Sequence, residues 1–287
     1  MKIGVIGAGK VGTALAHAMK ARGFAVVAMC DVHAEALETA RGYVGEGPAY
    51  TRDAAEVVEA ADVIAVTTQD REIRSVAKGL ADRFERLGGK LFFHTSGAHP
   101  SSELSPLDTK GALLGSLHPL QTFPDIDSGI AALPTTYVFI EGDERALAVL
   151  EEIGSAVGHK AVLIDSANKV LYHLSAVVVC NLLSALMYTG EDVMRRIGID
   201  LVPFFPIIEA TLKNIETKGP LLALTGPVVR GDAETVAAHL GAIGGMEPVW
   251  TVYRALSRVA LTMSEERGTL STQQVDALRR LLEDGEK

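Results

Sequence analysis

The chain has 287 residues, of which 48% are hydrophobic and 22% charged; this is ordinary globular composition, and the length predicts two domains rather than one core. Its net charge is −9 without a block of Lys or Arg, so nucleic acid and membrane surfaces are not expected partners. The sequence starts on a strand-like run rather than a signal peptide, and its cysteines, Cys30 and Cys180, lack metal-ligand spacing, so we expect a cytoplasmic protein with buried free thiols.

The first predicted strand opens into a glycine-rich turn. An apolar run from Ile3 to Ile6 is followed by Gly7-x-Gly9-x-x-Gly12 and then by a helical pattern. The first glycine permits the tight turn, the second lets the backbone approach a pyrophosphate, and the third lets the helix pack close on the strand. The free N–H groups and positive dipole end of the helix then face the phosphates. This pattern predicts a dinucleotide site, against the alternative that the glycines only serve a tight turn. The residues expected at the cofactor are Gly7, Ala8, Gly9, Lys10, Val11 and Gly12.

The second predicted strand, residues 25–29, leads to Asp31. This carboxylate follows the last glycine by about twenty residues, the spacing at which an acidic side chain accepts hydrogen bonds from a ribose 2′-OH. It would repel a 2′-phosphate, which favours NAD over NADP. His33, Lys10 and Arg41 could still gather near such a phosphate, so NADP stays open as the cofactor.

Strands and helices alternate from there to residue 164. A helix is predicted from Ala34 to Arg41, a second is capped by Asp53, and a third runs from Glu144 to Val157. Several strands are short and continuously apolar, which is typical of a parallel sheet covered on both faces. The predicted strands are 62–66, 91–93, 113–117, 137–140 and 161–164. The alternation predicts an α/β fold, with a doubly wound parallel sheet of the Rossmann type over residues 1–164.

From Asp165 onward the strand signal disappears, which predicts an all-α domain over residues 165–287. Helices are predicted at 166–197, 202–216, 233–243, 248–267 and 271–283. The most apolar segment, 170–188, contains polar side chains and lacks basic flanks. We therefore expect a buried helix rather than a membrane span.

Ligands of open α/β sheets bind outside the carboxyl ends of the strands. Polar residues follow the predicted strands at this edge: Thr67, Thr68, Gln69, His94, Ser96, His99, His118 and Gln121. We assign the first three to the cofactor. Ser96 and His118 are expected to face its nicotinamide end, although His118 could equally be a structural histidine that holds the following loop. His94 is expected to be buried in its strand.

No metal site is expected among these histidines. His94, His99 and His118 could be imagined around zinc, but no Cys or carboxylate completes a known ligand spacing.

A polar stripe marks the first helix of the second domain. At about 100° per residue, Lys169, His173, Asn181 and Ser184 fall within roughly a third of the helix circumference, and most other positions are apolar. An unpaired polar group in a core costs about 1–3 kcal/mol, so the stripe must either hydrogen-bond to neighbouring helices or face a wet cleft. The lysine favours the cleft.

Taken together, these motifs resemble a known type of protein. They are the glycine turn, His94-Thr95-Ser96-Gly97, the segment from Gly115 to Phe123, and Lys169-x-x-x-His173. They look like an uncharacterised family of two-domain Rossmann-like oxidoreductases with a helical C-terminal domain of unknown function. That family is similar, more distantly, to ketopantoate reductase, pyrroline-5-carboxylate reductase and the β-hydroxyacid dehydrogenases.

The resemblance implies roles for residues on the first long helix. In ketopantoate reductases and β-hydroxyacid dehydrogenases, a Lys and an Asn there bind and polarise the substrate carbonyl. Lys169 matches that Lys in place. The Asn usually follows by one turn, where this chain has His173, and Asn181 comes two turns later. The resemblance also implies a homodimer, which strongly apolar helices favour as well.

We therefore expect an enzyme, an NAD(P)-dependent oxidoreductase that transfers a hydride between nicotinamide and a small, carboxylate-bearing carbonyl or imine compound at the interdomain cleft. Lys169 would stabilise the developing alkoxide, and His173 or His118 would deliver the proton. Asn181 would orient the substrate, and Ser96 would hold its carboxylate or the cofactor's carboxamide. Two alternatives remain: a non-catalytic NAD(P)-binding regulatory or sensor protein, which would not need the polar stripe, and an enzyme that uses another reductant, such as a deazaflavin.

Overall fold

The computed structural model describes residues 1–283, and the chain divides into two compact units between Val177 and Val178. This division lies later than the expected boundary at residue 164. The first turns of the helix that begins at Lys169 contact the sheet, because the Lys169 ammonium donates to the Ser96 carbonyl oxygen. Contacts of this kind cannot be seen in a sequence pattern, which registers only where strands stop.

The first unit is built on an eight-stranded sheet in the order β3-β2-β1-β4-β5-β6-β7-β8. The strands are β1 Lys2–Ile6, β2 Ala25–Cys30, β3 Ala49–Thr51, β4 Val63–Val66, β5 Leu91–His94, β6 Leu113–Pro119, β7 Tyr137–Gly142 and β8 Lys160–Leu163. All neighbours are parallel except β6 and β7, which are antiparallel. The α/β fold class is confirmed. The short strand β3 and the reversed direction of β7 were not predicted. The direction of β7 could not be read from the sequence, because a buried strand has the same apolar pattern in either direction.

Helices cover both faces of this sheet. They are α1 Lys10–Ala21, α2 Ala34–Val44, α3 Ala54–Ala60, α4 Asp70–Arg83, α5 Ser105–Asp108, α6 Ile126–Ala132, α7 Glu144–Val157 and α8 Lys169–Ala176. Phe92 and Phe93 lie on opposite faces of β5 and belong to two separate buried clusters. Phe93 is in the cluster with Leu15 and Leu150, and Phe92 is in the cluster with Ile73. Each such side chain contributes about 1.5–3 kcal/mol through its burial. Both faces of the sheet are thus covered, and the ends of its strands are the side that stays open.

The second unit is all-helical, as predicted. A π-helical turn, Val177–Asn181, is followed by α9 Leu182–Arg195, α10 Phe205–Ala223, α11 Ala233–Ala242, α12 Glu247–Glu266 and α13 Thr272–Glu283. Gly219, with φ of 77°, kinks α10 one residue before Pro220, where the sequence predicted a break. Val236, Leu278 and Leu282 are fully buried in the core of this unit.

The apolar stretch expected to be a buried helix is exposed in the single chain, so that prediction was wrong. Val170 is 68% and Val179 66% exposed, and Cys180, expected to be buried, is exposed as well. By length and composition alone, the helix over Ser166–Arg195 could cross a membrane, and none of its most apolar window is buried. The polar residues in this stretch favoured a buried helix. An apolar pattern, however, does not show whether helices of the same chain cover the surface.

Candidate functional site

Two glycines of the turn between β1 and α1 are required by the packing of the chain itself. Gly7 has φ of 106°, a conformation that other residues rarely adopt, and a Cβ there would lie 2.8 Å from the Thr67 carbonyl carbon. A Cβ on Gly12 would overlap the Gly7 carbonyl oxygen. The turn is therefore tight and the helix lies close on the strand, as the sequence indicated.

The middle glycine, Gly9, is different. Its φ of −73° is ordinary, and a Cβ there would meet nothing within 4 Å, so no packing within the chain requires a glycine. No side chain caps the N-terminus of α1, and the buried Thr68 hydroxyl has no hydrogen-bond partner among the described residues. Open space, free helix N–H groups and an unpartnered hydroxyl fit a pyrophosphate of a dinucleotide.

Asp31 and Thr67 hold the turn from its two sides. The Asp31 carboxylate accepts from the Ala8 N–H at 2.8 Å and the His33 N–H at 2.9 Å. The Thr67 hydroxyl donates to the Gly7 carbonyl oxygen at 2.6 Å, so its proton is used within the protein, and the predicted contact of Thr67 with the cofactor stays a prediction. Asp31 keeps free lone pairs, and its predicted contact with a ribose stays a prediction.

Two of the three groups that could gather near a 2′-phosphate make other contacts. Lys10 donates through its ammonium to the Pro124 carbonyl oxygen at 2.6 Å. The Arg41 guanidinium lies over the Tyr50 ring, 4.8 Å from its centroid. These contacts give no preference between NAD and NADP. Gln69, also predicted at the cofactor, is exposed at the N-terminus of α4.

His94, at the end of β5, has a structural role, as expected. It is buried; its Nε2 lies 3.0 Å from the Pro100 carbonyl oxygen, and its Nδ1 lies 3.2 Å from the Ser96 nitrogen. Nε2 must therefore carry the proton and Nδ1 accept. Burial lowers the pKa of His94 to about 4, so the ring is neutral and fixes the Ser96 turn.

The Ser96 hydroxyl is also held within the protein. It donates to the Asp70 carboxylate at 2.7 Å and accepts from the His99 N–H at 3.1 Å. The Asp70 side chain, at the start of α4, is half exposed and leaves a negative charge beside the turn. The Ser96 oxygen can still accept a hydrogen bond from a ligand, but its hydrogen bonds with Asp70 and His99 fix its position.

Lys169 lies beneath the same turn. Its side chain is 2% exposed, so it is not an ordinary solvated lysine in the first turn of a helix. The ammonium donates to the Ser96 carbonyl oxygen at 2.8 Å and to the Ser116 hydroxyl. Burial lowers the pKa of Lys169 to about 8, and Glu141 and Asp70 oppose the shift. The ammonium is thus close to the strand ends, and the role of direct substrate contact remains a prediction.

Glu141 is the charge partner of Lys169. Both side chains are 2% exposed, and their Oε1 and Nζ atoms lie 3.8 Å apart. The Glu141 carboxylate also accepts from the Ser101 N–H at 2.6 Å, the Ser101 hydroxyl at 2.9 Å and the Ser166 hydroxyl at 2.5 Å. A buried carboxylate with this many partners is well compensated.

Two histidines converge on Gly97. A Cβ at Gly97 would lie 2.8 Å from His118 Nε2 and 3.0 Å from His173 Nδ1, so the two ring nitrogens border one point. His118 Nδ1 is 2.7 Å from the Tyr172 hydroxyl, whereas the buried His173 Nδ1 has no partner among the described residues. Burial, together with the smaller effects of the Lys169 and His173 charges, lowers the pKa of His118 to about 4. This cluster can donate a proton to a ligand beside Gly97.

The structure brings together most, not all, of the predicted reaction residues. Ser96, His118, Lys169 and His173 meet at one end of the sheet. Asn181 belongs to the second unit, at the end of the π-helical turn. That turn breaks the spacing of about 100° per residue on which the predicted four-residue stripe depended, so a common face with Lys169 no longer follows.

Sequence reasoning missed four residues of this site: Asp70, Ser116, Glu141 and Tyr172. A signal existed for Glu141, because it is the single charged residue of the strand Tyr-Val-Phe-Ile-Glu-Gly, where a lone charge needs a partner. Within residues 1–283, no group of three or more His, Cys, Asp or Glu side chains could hold a metal ion.

Comparison with known proteins covers both parts of the chain. Residues 1–119 match the model of a Rossmann-like domain, and residues 136–260 match that of the domain of unknown function DUF2520. No curated protein matches by sequence.

Solved structures share the fold over nearly the whole chain. A candidate NADP oxidoreductase from Bacteroides fragilis is 25% identical with a TM-score of 0.74, over 91% of this chain and 98% of its own. A Thermotoga maritima protein is 23% identical with a TM-score of 0.73, over 93% and 99%. A reductive aminase from Aspergillus terreus in complex with NADPH and ethyl-5-oxohexanoate is 17% identical with a TM-score of 0.70, over 96% and 97%. The similarity supports an NAD(P)-dependent oxidoreductase in general.

Proposed function

The chain is a two-domain protein that joins a Rossmann-like domain to a DUF2520 domain, and on this basis we propose that it is an NAD(P)-dependent reductase of a small carbonyl or imine compound. The observation that carries the proposal is the glycine turn. Space is kept open at Gly9, although no packing requires it, and the neighbouring Thr68 hydroxyl is buried without a partner. The similarity to the candidate NADP oxidoreductase of Bacteroides fragilis supports it.

The chain's residues supply the binding of the cofactor, which when bound supplies the hydride. The N–H groups of α1 and the Thr68 hydroxyl would hold the pyrophosphate, and Asp31 would accept from the ribose, which favours NAD. Since Asp31 also holds the Ala8 N–H, it sets the shape of the turn at the same time.

The proton would come from the histidines at Gly97. When a C=O or C=N bond accepts a hydride at carbon, its oxygen or nitrogen must gain a proton. His118 Nε2 lies next to Gly97, and His118 Nδ1 is hydrogen-bonded to the Tyr172 hydroxyl. If Tyr172 donates this hydrogen bond, Nε2 carries the proton and can give it to the substrate, while Nδ1 takes the phenolic proton. His173 Nδ1 would hold the same substrate atom. The Ser96 hydroxyl donates its proton to Asp70, so in this proposal it accepts from the carboxamide N–H of the cofactor and does not bind the carboxylate of the substrate.

Gly9→Val tests the cofactor site. The valine side chain would fill the open space at the turn and should abolish binding of NADH and NADPH measured by calorimetry. The melting temperature should stay that of the wild type, because nothing in the chain lies near the new Cβ. Gly42→Val is the matched control, since Gly42 is equally open but lies on α2, and it should bind normally. Undiminished cofactor affinity in Gly9→Val would refute the dinucleotide site.

Turnover separates an enzyme from a sensor. Oxidation of NADH and NADPH is followed against keto acids, cyclic imines and mixtures of ketones with amines. A reductase oxidises the cofactor with at least one class. Tight cofactor binding without turnover of any class would favour a regulatory protein, and binding of a deazaflavin alone would favour the other reductant.

A further inference from the structure

We infer that Lys169 is a positioning residue: its buried ion pair with Glu141 holds the Ser96–Gly97 turn against the helix that carries Tyr172 and His173. The residue was expected to touch the substrate. The inference rests on the proposed function for its activity measurements, and on the structure alone for its stability measurements.

The Lys169 ammonium is buried among polar groups of the protein. Of its three N–H groups, one is directed to the Ser96 carbonyl oxygen at 2.8 Å and another to the Ser116 hydroxyl. Glu141 Oε1 lies 3.8 Å from the same nitrogen, and both side chains are 2% exposed. A substrate that took either of these two hydrogen bonds would leave the Ser96 or Ser116 oxygen unsatisfied in a buried place, which is costly.

The ion pair joins four segments that are distant in sequence. Glu141 is in β7 and binds Ser101, after β5, and Ser166, just before α8. Lys169, in the first turn of α8, binds Ser96, just after β5, and Ser116, in the middle of β6. The pair is therefore the point at which the start of α8 is fixed on the sheet.

The consequence reaches the histidine cluster through the helix. Tyr172 and His173 follow Lys169 by about one turn of α8, and they place the phenol 2.7 Å from His118 Nδ1 and the imidazole beside Gly97. Gly97 directly follows the residue whose carbonyl oxygen Lys169 holds. Lys169 and Glu141 thus fix both the Gly97 backbone and the helix whose His173 lies against it.

The test compares a variant in which both members of the ion pair are replaced by neutral residues with variants in which only one is replaced. Removing one partner of a buried ion pair leaves an uncompensated charge, whereas replacing both with neutral groups of similar size is often tolerated. We would compare Lys169→Met, Glu141→Gln and the double variant Lys169→Met/Glu141→Gln. Each single variant should lower the melting temperature by about 10 °C, and the double variant should recover most of that loss. Lys160→Met, at an exposed position, is the control and should change little.

Activity distinguishes positioning from direct contact. If Lys169 positions the cluster, the double variant should have kcat within about tenfold of the wild type, with unchanged cofactor Kd, although Lys169→Met alone loses far more. A double variant that is stable yet as inactive as Lys169→Met would show that Lys169 contacts the reacting group and would overturn the inference. So would a double variant no more stable than the singles, or one that does not fold. Failure of the wild type to turn over any substrate would refute the proposed function, while the stability comparison would still decide the role of the pair.

Discussion

Single side chains at the strand ends divide into groups that hold the site and groups that are free to act. His94, Ser96 and Lys169 have their polar atoms satisfied by the protein. His173 Nδ1 has no partner among the described residues, and His118 Nε2 borders the same point at Gly97. Buried polar atoms of native proteins are nearly always paired, so these nitrogens are the ones expected to meet a ligand.

Tyr172→Phe should lower kcat by about 10- to 100-fold, because the variant loses the proton carrier behind His118. The ring would still pack on Phe139, whose centroid lies 4.4 Å away, so the melting temperature and the cofactor Kd should hardly change. Phe139→Leu is a control that alters packing and leaves the hydroxyl in place. Full kcat in Tyr172→Phe would remove Tyr172 from the proton path.

The pH dependence of the wild type bears on the same assignment. Burial lowers the pKa of His118 to about 4 and raises that of the Tyr172 hydroxyl. Both groups therefore keep their protons unchanged between about pH 5 and 7, a range that lies below the pKa of about 8 of Lys169. Across this range kcat should be level rather than fall as pH rises through 6.5, the ordinary histidine value.

At the scale of the element, the unit of strand β1, glycine turn and helix α1 shows two different reasons for glycine. Gly12 lies where a Cβ would overlap the Gly7 carbonyl oxygen, whereas the Cβ of Gly9 would enter open space. The same motif thus contains a glycine that the packing of the chain requires and a glycine that it does not, and we propose that the second serves the cofactor.

Gly12→Ala should therefore lower the free energy of unfolding by about 1–3 kcal/mol, the range for forcing an extra carbon into a packed site. Gly9→Ala is the matched variant and should leave it unchanged. Urea unfolding measures both. Equal stability of the two variants would contradict the close packing of α1 on β1.

At the scale of the whole molecule, the chain leaves a large apolar surface on its helices. Val170 and Val179 are mostly exposed, and an open apolar cleft of about 510 Å³ lies between α9 and α12, lined by residues such as Leu186, Val249 and Leu256. Monomeric soluble proteins rarely expose contiguous apolar patches larger than a few hundred Å². We propose that a second copy of the chain covers this surface in a homodimer.

Light scattering should then give about twice the monomer mass of 30.4 kDa. Val179→Asp should shift the protein toward monomer, because it puts a charge into the apolar contact. Val32→Asp is the control, since Val32 is as exposed, at 67%, but lies after β2. A wild-type monomer at micromolar concentration would rule out the homodimer.

The sequence by itself determined the order and type of most elements and the place of the glycine turn. These follow from local causes: apolar periodicity decides helix or strand, and the spacing of Gly7, Gly9, Gly12 and Asp31 lies within one β–α–β unit. Only the tertiary structure decided the antiparallel direction of β7, the ion pair between Lys169 and Glu141 and the hydrogen bond between His118 and Tyr172. These depend on which distant segments meet, and the π-helical turn before Leu182 changes the spacing that a helical wheel assumes. Burial was misjudged for the apolar helix for the same reason, because a pattern records what a surface is made of but not which chain covers it.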